Sequence, residues 1–575
     1  MSLPDRIAVR EHELSSRQGV RYSARRRARQ RSARSAAGPW IALSITLSLA
    51  LLAMGASRLQ AQVQAQAKTQ VQAKTQLQTA PIVPGRYIVV YRNAAIPGDA
   101  EARVHAAGAR ILRRDERLGM ASVQALVNPH PLHAEANSQS LDGVDITMQL
   151  LAAEPNVKYV LHDRIVTADR LTLKPVIPAT FSVIIGSTTH LQTYDSFYTA
   201  SPQGWAVRQV GGYGGNVAGG PAHGPWDRTM GDGVRIAILD SGVDETHPDI
   251  APNLALNLSE INQTDYPSAC DDGTPQDQDG HGTWVASLAA GAIGPGTGEV
   301  VGVAPHATLL NIKVLQRMPA SAPDSGNSIK DQCASGQASG LLSWVMQGID
   351  DAIANRADII SLSVGATVDL TTADGAGLQA AFNDVTSAAA QAGIVVVASA
   401  GNDGLDLSGP RFVELPAQSS GVLAVVASTN PACAQNTAAG ARCAPGPVAL
   451  AYYSNHGAAL AALAAPGGSY PEGASQAISG WVRGACSSGK PSTLDGPPTD
   501  SGHSFGCFNV GHAAYVQAIG TSASAPLAAG VAALLRAAHP DWTAADIVAR
   551  LRTTAVASTG LPVPQINAAA ALATP

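Results

Sequence analysis

The sequence predicts an α/β fold in which helices flank both faces of a parallel sheet, with a small α+β unit before it. Beyond residue 230, strand-like runs that are apolar on both faces alternate with helical stretches, as expected for a sheet covered on both sides. The segment 84–168 instead contains the order β-α-β-α-β. With 575 residues, the chain has room for both units.

The first 61 residues contain a basic segment followed by the mainly apolar run "IALSITLSLALLAMGASRLQA". A positive segment, an apolar run and small residues such as Ala56 and Ala61 are typical of an export signal peptide. An uncleaved membrane anchor is the alternative, although the run is short for a span and contains Ser44 and Ser48. We therefore expect a secreted or periplasmic protein whose membrane contact is made only through this segment.

Charge is unevenly distributed along the chain. Residues 1–60 hold 11 of the 38 basic residues and 3 of the 43 acidic residues, so the remainder has a net charge of −13. Because binding to a phosphate backbone needs basic patches, the acidic body argues against nucleic acid as a partner.

The segments between the signal and the large sheet differ in composition. Residues 62–83 are rich in Gln and Ala and predict a polar tether. In 84–168, "GRYIVVYRN", "MASVQAL" and "VKYVLHDRIV" predict strands, and "GDAEARVHAAG" and "ITMQLLAAEP" predict helices. Residues 169–200 predict an irregular linker, and the large unit is expected from 201 to 575. Its expected strands are "VRIAIL", "ATLLNIKV", "ADIISLSV", "GIVVVASA" and "GVLAVVAS".

All six cysteines lie beyond the apolar run. An even number in an exported chain predicts three disulfide bonds, and a metal site is disfavoured because the sequence has no Cys-x-x-Cys pair. Sequence alone leaves fifteen pairings open. Pairing of neighbours is the simplest of them and joins Cys433 to Cys443, Cys486 to Cys507, and Cys270 to Cys333.

Four polar residues stand at the ends of predicted strands or at the starts of predicted helices. Asp240 ends "VRIAILD", His281 opens an apolar helix, Asn402 follows "IVVVASAG", and Ser522 opens "SASAPLAAGVAALL". Each could be a turn residue or a helix cap. Together they supply an acid, a base, a hydroxyl nucleophile and an amide donor, which are the groups that acyl transfer requires. In sheets of this kind such groups meet at the carboxyl edge of the strands.

These stretches resemble the subtilisin-like serine peptidases, the subtilase family. The resemblance is carried by "VRIAILDSGVDETHPDI", "DGHGTWVASLAAG", "VGVAPHATLLNIKVL", "ADIISLSVGA", "VVVASAGNDG" and "GTSASAPLAAGVAALL", which span most of 231–540. It implies a subtilisin-like fold, protein or peptide substrates, and hydrolysis that needs no cofactor. By the same resemblance Ser522 is the nucleophile, His281 the base, Asp240 the residue that orients it, and Asn402 the oxyanion donor.

The resemblance also implies a cleft in which an extended peptide pairs with two edge strands. A roomy apolar pocket, whose base is formed by small residues, is expected to favour large apolar side chains before the scissile bond. The implied residues are Ser339, Gly340, Leu341 and Leu342 on one edge, Ser363, Val364 and Gly365 on the other, and Ala398, Ser399, Ala400 and Gly401 at the pocket base.

The sequence departs from the family pattern in three places. Ala523 and Leu527 stand where the family commonly has methionine and histidine. Insertions at 316–338 and 430–515 carry most of the cysteines and are expected to rim the cleft. Asp249 matches one ligand of a structural calcium, but "AIGPGTGEV" lacks the expected asparagines, so calcium binding stays open.

Residues 84–168 resemble the family's inhibitory prodomain, which implies a ferredoxin-like unit that acts as an intramolecular inhibitor and is removed by self-cleavage. The resulting prediction is an exported serine endopeptidase made as a zymogen. Two alternatives stay open: a specialised processing peptidase or peptide acyl-transferase on the same fold, and a non-catalytic binding protein.

Overall fold

A computed structural model describes much of the chain from residue 79 onward. The described residues are 79–126, 146–168, 204–214, 223–294, 297–298, 300–320, 328–334, 336–429, 448–468, 481–489, 507 and 514–573. The predicted signal peptide, nearly all of the tether, the linker 169–200, Cys433 and Cys443 lie outside these residues. The described residues belong to one compact unit, Val71–Pro575.

The N-terminal part, residues 79–168, is an antiparallel sheet with two helices. Its elements are β1 (Ile82–Tyr91), α1 (Ala100–Ala106), β2 (Ala109–Asp115), β3 (Met120–Ala125), α2 (Ile146–Ala152) and β4 (Val157–Ala168). The strand order β4-β1-β3-β2 and the chain order β-α-β-β-α-β are those of a ferredoxin-like unit. Alternate side chains of β1, including Tyr87 and Val89, pack on Val104 of α1 and Leu151 of α2.

Two details of this part differ from the sequence prediction. Strand β2 was not predicted, because its "ARILRRD" sequence carries three arginines and hides its alternation. The first strand also begins at Ile82, inside the predicted tether, and the Ala80 N–H donates to the Thr367 carbonyl at 2.9 Å. Residues 80–83 are therefore part of the folded structure.

The C-terminal part, residues 204–573, is built on a mainly parallel sheet. Its strands are β5 (Arg235–Asp240), β6 (Leu254–Ser259), β7 (Thr308–Lys313), β10 (Ile359–Leu362), β12 (Val395–Ser399), β14 (Val422–Thr429), β15 (Ala449–Leu450) and β16 (Leu463–Pro466). The strand order is β15-β14-β12-β10-β5-β7-β6, with β16 paired to β14. β15 is antiparallel to β14, and the other neighbours are parallel.

Helices cover both faces of this sheet, as the sequence predicts. The helices are α3 (Trp205–Val210), α4 (His281–Ala290), α5 (Ile329–Ala334), α6 (Leu342–Ala354), α7 (Ala373–Gln391), α8 (Thr521–Ala538), α9 (Ala544–Thr554) and α10 (Ala568–Leu572). Ile236 and Ile238 of β5 lie in one buried cluster with residues of α4 and α8. Ala237 and Leu239 lie in a second buried cluster with residues of α6 and α7.

A second sheet joins the two parts of the chain. It adds β8 (Leu315–Met318), β9 (Gln337–Leu341), β11 (Val364–Asp369) and β13 (Phe412–Leu415) to the N-terminal strands, with β4 lying between β9 and β11. A two-stranded sheet forms from β17 (Val482–Ala485) and β18 (Tyr515–Ala518).

Disulfide bonds join Cys270 to Cys333 and Cys486 to Cys507, which are two of the pairs that neighbour pairing predicts. Among the described residues, no helix is both long enough and apolar enough to cross a membrane.

Candidate active site

Asp240 and His281 form a buried pair at the carboxyl edge of the parallel sheet. Asp240 is the last residue of β5, and its Oδ1 lies 2.7 Å from His281 Nδ1. Both side chains are fully buried. Because a carboxylate only accepts hydrogen bonds, the contact places the ring hydrogen on Nδ1. The Ser241 N–H also donates to Asp240 Oδ1 at 2.7 Å, which holds the carboxylate in place.

Asp277, which the sequence analysis missed, organises the loop that leads to His281. Its Oδ1 accepts the N–H of Gly280 at 2.7 Å and the Ser241 hydroxyl at 2.9 Å, and its Oδ2 accepts the Thr283 N–H at 2.9 Å. Gly280 has a φ of +99°, which suits glycine at the turn before α4. Burial raises the pKa of Asp277 to about 6, although hydrogen bonds from Thr283 and Gly280 oppose the rise. The loops bearing Asp240 and His281 are thus bonded to one carboxylate.

Ser522 lies in the first turn of α8, where the sequence predicted it. It is fully buried, and its backbone carbonyl accepts the Ser363 hydroxyl at 3.0 Å. Asn402 reaches the residue just before it, because Asn402 Oδ1 accepts both the N–H and the hydroxyl of Thr521 at 2.9 Å each. These bonds fix the orientation of the Asn402 amide beside the start of α8. Helix α8 packs against α4, which begins at His281.

The two predicted cleft edges are occupied by a segment of the chain itself. The end of β4 runs antiparallel to both β9 and β11. Thr167 pairs with Ser339 on one side and with Gly365 on the other. Ile165 and Val166 pair with Leu341 and Gly340, and Ala168 pairs with Val364. The cleft therefore holds a strand between two strands, the arrangement expected for an extended peptide.

Two alternate side chains of this segment are buried between the predicted cleft edges. Val166 is fully buried, and Ala168 is 6% exposed. On the β9 edge, a Cβ added to Gly340 would lie 2.1 Å from the Val314 carbonyl oxygen. Only glycine therefore lets β9 lie so close to the backbone at Val314. Leu342, the next residue after β9, begins helix α6 and is buried.

The predicted pocket base lies at the end of β12. Ala398 and Ser399 are the last residues of that strand, and the Ala400 N–H donates to the Val425 carbonyl at 3.0 Å. Gly401 has a φ of +93°, and a Cβ there would lie 2.2 Å from Asn455 Nδ2. All four residues from 398 to 401 are buried.

Asp249 does not form a calcium site with other acids in the described residues. Its Oδ1 accepts the Gly298 N–H, and its Oδ2 accepts the Val300 N–H at 3.1 Å. Among the described residues, no group of three or more His, Cys, Asp or Glu side chains could hold a metal ion. A carboxylate whose two oxygens each accept a backbone N–H fits a loop anchor better than a calcium ligand.

Ion pairs across the boundary between the two parts of the chain have one polarity. In the described residues, each places the basic residue on the N-terminal part and the acid on the C-terminal part. The pairs are Arg110–Asp265, Arg113–Glu260, Arg113–Asp351, Arg117–Asp350, Lys158–Asp384 and Arg164–Asp374, with His162 also beside Asp374. The arginines of β2 that obscured the strand pattern make three of these pairs.

This edge of the sheet carries a histidine paired with a carboxylate, and the start of α8 carries a serine beside an asparagine, which are the groups that acyl transfer requires. Subtilisin-like serine endopeptidases are one class of protein that combines these groups with a mainly parallel sheet. The chain belongs to the subtilase family, whose model matches residues 231–568.

Two known members of the family align with just over half of the chain. Subtilisin E from Bacillus subtilis strain 168 is 31% identical over 327 residues, covering 56% of this chain and 61% of that protein. Subtilisin from Bacillus pumilus is also 31% identical, over 56% of this chain and 84% of that protein. The chain thus spans less than two thirds of the length of subtilisin E.

A solved structure shares the fold. Fervidolysin from Fervidobacterium pennivorans, a keratinolytic enzyme related to subtilisin, superposes with a TM-score of 0.52 at 18% identity. The match covers 87% of this chain and 62% of fervidolysin.

Proposed function

We propose that this protein is an exported serine endopeptidase, made as a zymogen, that hydrolyses peptide bonds through an acyl-enzyme. The observation that carries the proposal is the 2.7 Å contact between Asp240 Oδ1 and His281 Nδ1 at the sheet edge where α8 begins. A subtilase fold with this pair in place has the base that a serine nucleophile needs.

In the proposed reaction, Ser522 Oγ attacks the carbonyl carbon of the scissile bond while His281 takes its proton. Asp240 stabilises the imidazolium and keeps hydrogen on Nδ1. His281 then protonates the leaving amine, the C–N bond breaks, and the acyl group stays on Ser522 as an ester. Water, deprotonated by His281, cleaves that ester and restores the serine. Each step uses groups of the chain and water, so no cofactor enters the proposed reaction.

The oxyanion of the tetrahedral intermediate is assigned to the Asn402 amide and the Ser522 N–H. Asn402 is suited to this role because Thr521 fixes it through Oδ1, which directs the Nδ2 end of the amide away from Thr521. The N-terminus of α8 adds a favourable field for negative charge. A donor fixed before reaction stabilises the charge without reorganising.

The N-terminal part is proposed to be a prodomain that inhibits the enzyme by filling its cleft. Support comes from the register of β4, whose residues 165–168 pair with both cleft edges. The ion pairs add electrostatic complementarity between the N-terminal part, which supplies the basic residues, and the C-terminal part, which supplies the acids. Ala168 pairs with Val364, next to Ser363, which contacts Ser522. Self-cleavage is therefore proposed to occur shortly after residue 168.

Export is proposed from the sequence pattern of residues 1–61 and is consistent with the buried disulfide bonds. The proposed location is secreted or periplasmic.

The activity is tested by labelling the purified protein with a fluorophosphonate, which reacts with an activated serine. Labelling is expected in the natural protein and not in Ser522→Ala. Mass spectrometry of the same samples tests self-processing. If Ser522→Ala made without other proteases still accumulated the mature-sized chain, processing by the enzyme itself would be excluded.

A further inference from the structure

Arg164 is the residue of β4 that immediately precedes the segment held in the cleft, and it contacts an acid of the C-terminal part. Arg164 Nε lies 3.1 Å from Asp374 Oδ2, and its Nη2 reaches the same oxygen. The other carboxylate oxygen, Asp374 Oδ1, accepts the backbone N–H of His162 at 2.8 Å. The side chains of Arg164 and Asp374 are 10% and 14% exposed, so the pair is largely shielded from water.

The position of Asp374 relative to the cleft is fixed by strand β11 and helix α7. It is the second residue of α7, which follows cleft strand β11 after a short turn. The Thr372 hydroxyl caps α7 by accepting the Gly375 N–H at 3.0 Å. Burial opposes ionisation of Asp374, but hydrogen bonds from His162 and Arg164 outweigh it and lower its pKa. The carboxylate is therefore charged at neutral pH.

A bound peptide that pairs with the cleft edges in the register of β4 has its side chains where the side chains of β4 lie. Successive residues of a strand alternate between faces, so residues 164, 166 and 168 point to one side. Val166 and Ala168 on that side are buried in the cleft. The peptide residue that takes the place of Arg164, four positions before the one in the place of Ala168, then lies beside Asp374.

We propose that Asp374 is a specificity-determining residue that selects substrates with a basic side chain, arginine above all, at the position of Arg164. This inference rests on the proposed peptidase function. Arginine is favoured because its planar guanidinium offers two N–H groups to the carboxylate, as Arg164 does, whereas lysine offers a single point charge. The preferred substrate class is thus an extended chain with an arginine well before the scissile bond.

Asp384 on the same helix provides a matched control. It pairs with Lys158 at 2.8 Å, but its side chain is 57% exposed. Lys158 lies seven residues before the segment 165–168 that pairs with the cleft edges. A peptide that begins at residue 160 has no residue at the position of Lys158, the partner of Asp384. Asp384→Asn therefore removes a similar charge from α7 without changing recognition.

The experiment compares two quenched fluorescent peptides with the processed enzyme. One carries the sequence of residues 160–174 and the other has alanine in place of Arg164. We expect kcat/KM to be about tenfold higher for the arginine peptide, as a partly shielded charge-assisted pair implies. The ratio should fall to about one in Asp374→Asn and stay near tenfold in Asp384→Asn.

Two outcomes would overturn the inference. Equal kcat/KM values for the two peptides in the natural enzyme would show that Asp374 does not select arginine. A tenfold ratio that persists in Asp374→Asn would assign the preference to another residue, even if overall activity fell. If neither peptide were cleaved and fluorophosphonate labelling also failed, the proposed function itself would be wrong. A further check is Asp374→Arg, which should reverse the preference towards a peptide with glutamate at that position.

Discussion

Asp240 Oδ1 lies 2.7 Å from His281 Nδ1, and neither side chain is exposed to solvent. The two residues are 41 positions apart in the sequence and come together because β5 ends where α4 begins. A buried carboxylate beside an imidazole stabilises its protonated form, which is what a base that removes a serine proton requires.

Replacing Ser522 with alanine should abolish hydrolysis. By analogy with the corresponding serine of subtilisin, we expect a loss of roughly 10⁶-fold in kcat. Initial rates on a peptide substrate measure the effect. Ser524→Ala, which changes a second buried serine of α8, is the control and should keep far more activity. Equal losses in both variants would indicate damage to the helix rather than loss of the nucleophile.

Asn402→Ala should lower kcat by about 10²–10³-fold, a magnitude taken from the equivalent asparagine of subtilisin, with KM little changed. The reason is that the amide contacts charge that develops only in the transition state. Steady-state kinetics on one peptide separate the two parameters. Near-full turnover in this variant would contradict the oxyanion role.

The Asp277 carboxyl should make stability depend on pH. Its pKa of about 6 in the folded protein lies above 3.8, the ordinary value for an aspartate. As pH rises from about 4 to 6, the unfolded chain loses this proton first, so this group destabilises the fold, by about 3 kcal/mol once fully ionised. Thermal unfolding between pH 4 and 7 tests this by comparing Ser522→Ala with Ser522→Ala/Asp277→Asn. The pH-dependent loss should be smaller in the double variant, and parallel curves would refute the assignment.

The main sheet and its flanking helices could be predicted because they follow local rules, and the same rules mark the four site residues as candidates. Apolar strands followed by Asp240 or Asn402 show where strands end, and small residues around Ser522 mark a helix start that a substrate can approach. Asp277 was missed because its importance lies in hydrogen bonds to backbone groups, which leave no pattern in the sequence. Strand β2 was missed because Arg110 and Arg113 pair with acids more than 140 positions away, such as Glu260.

The stability of the loop at Asp249 should not depend on calcium. Because both carboxylate oxygens of Asp249 accept backbone N–H groups, chelation with EDTA is expected to leave the difference in Tm between the natural protein and Asp249→Ala unchanged. Asp249→Ala removes both acceptors and leaves the N–H groups of Gly298 and buried Val300 without this partner, so it should lower stability by about 2 kcal/mol. A fall in Tm with EDTA that added calcium reverses would show that a cation stabilises the fold.

Ala523 should make the active site resistant to peroxide. The family commonly has methionine after the nucleophile, and its sulfur is open to oxidation, whereas alanine has no oxidisable atom. We expect activity to be retained after treatment that inactivates an Ala523→Met variant. Activity is measured before and after exposure of both proteins. If the natural protein lost activity as fast as Ala523→Met, oxidation elsewhere would be responsible.

Strand β4 joins two groups of strands, since it pairs with β1 from Val157 to Arg164 and with β9 and β11 from Ile165 to Ala168. Breaking the chain beyond Ala168 removes none of these pairings or the ion pairs around them. In the proposed maturation, scission and opening are consequently separate events, and a clipped molecule is expected to stay latent until the whole N-terminal part diffuses away. The delay between them is set by the lifetime of a non-covalent complex and not by the speed of bond cleavage.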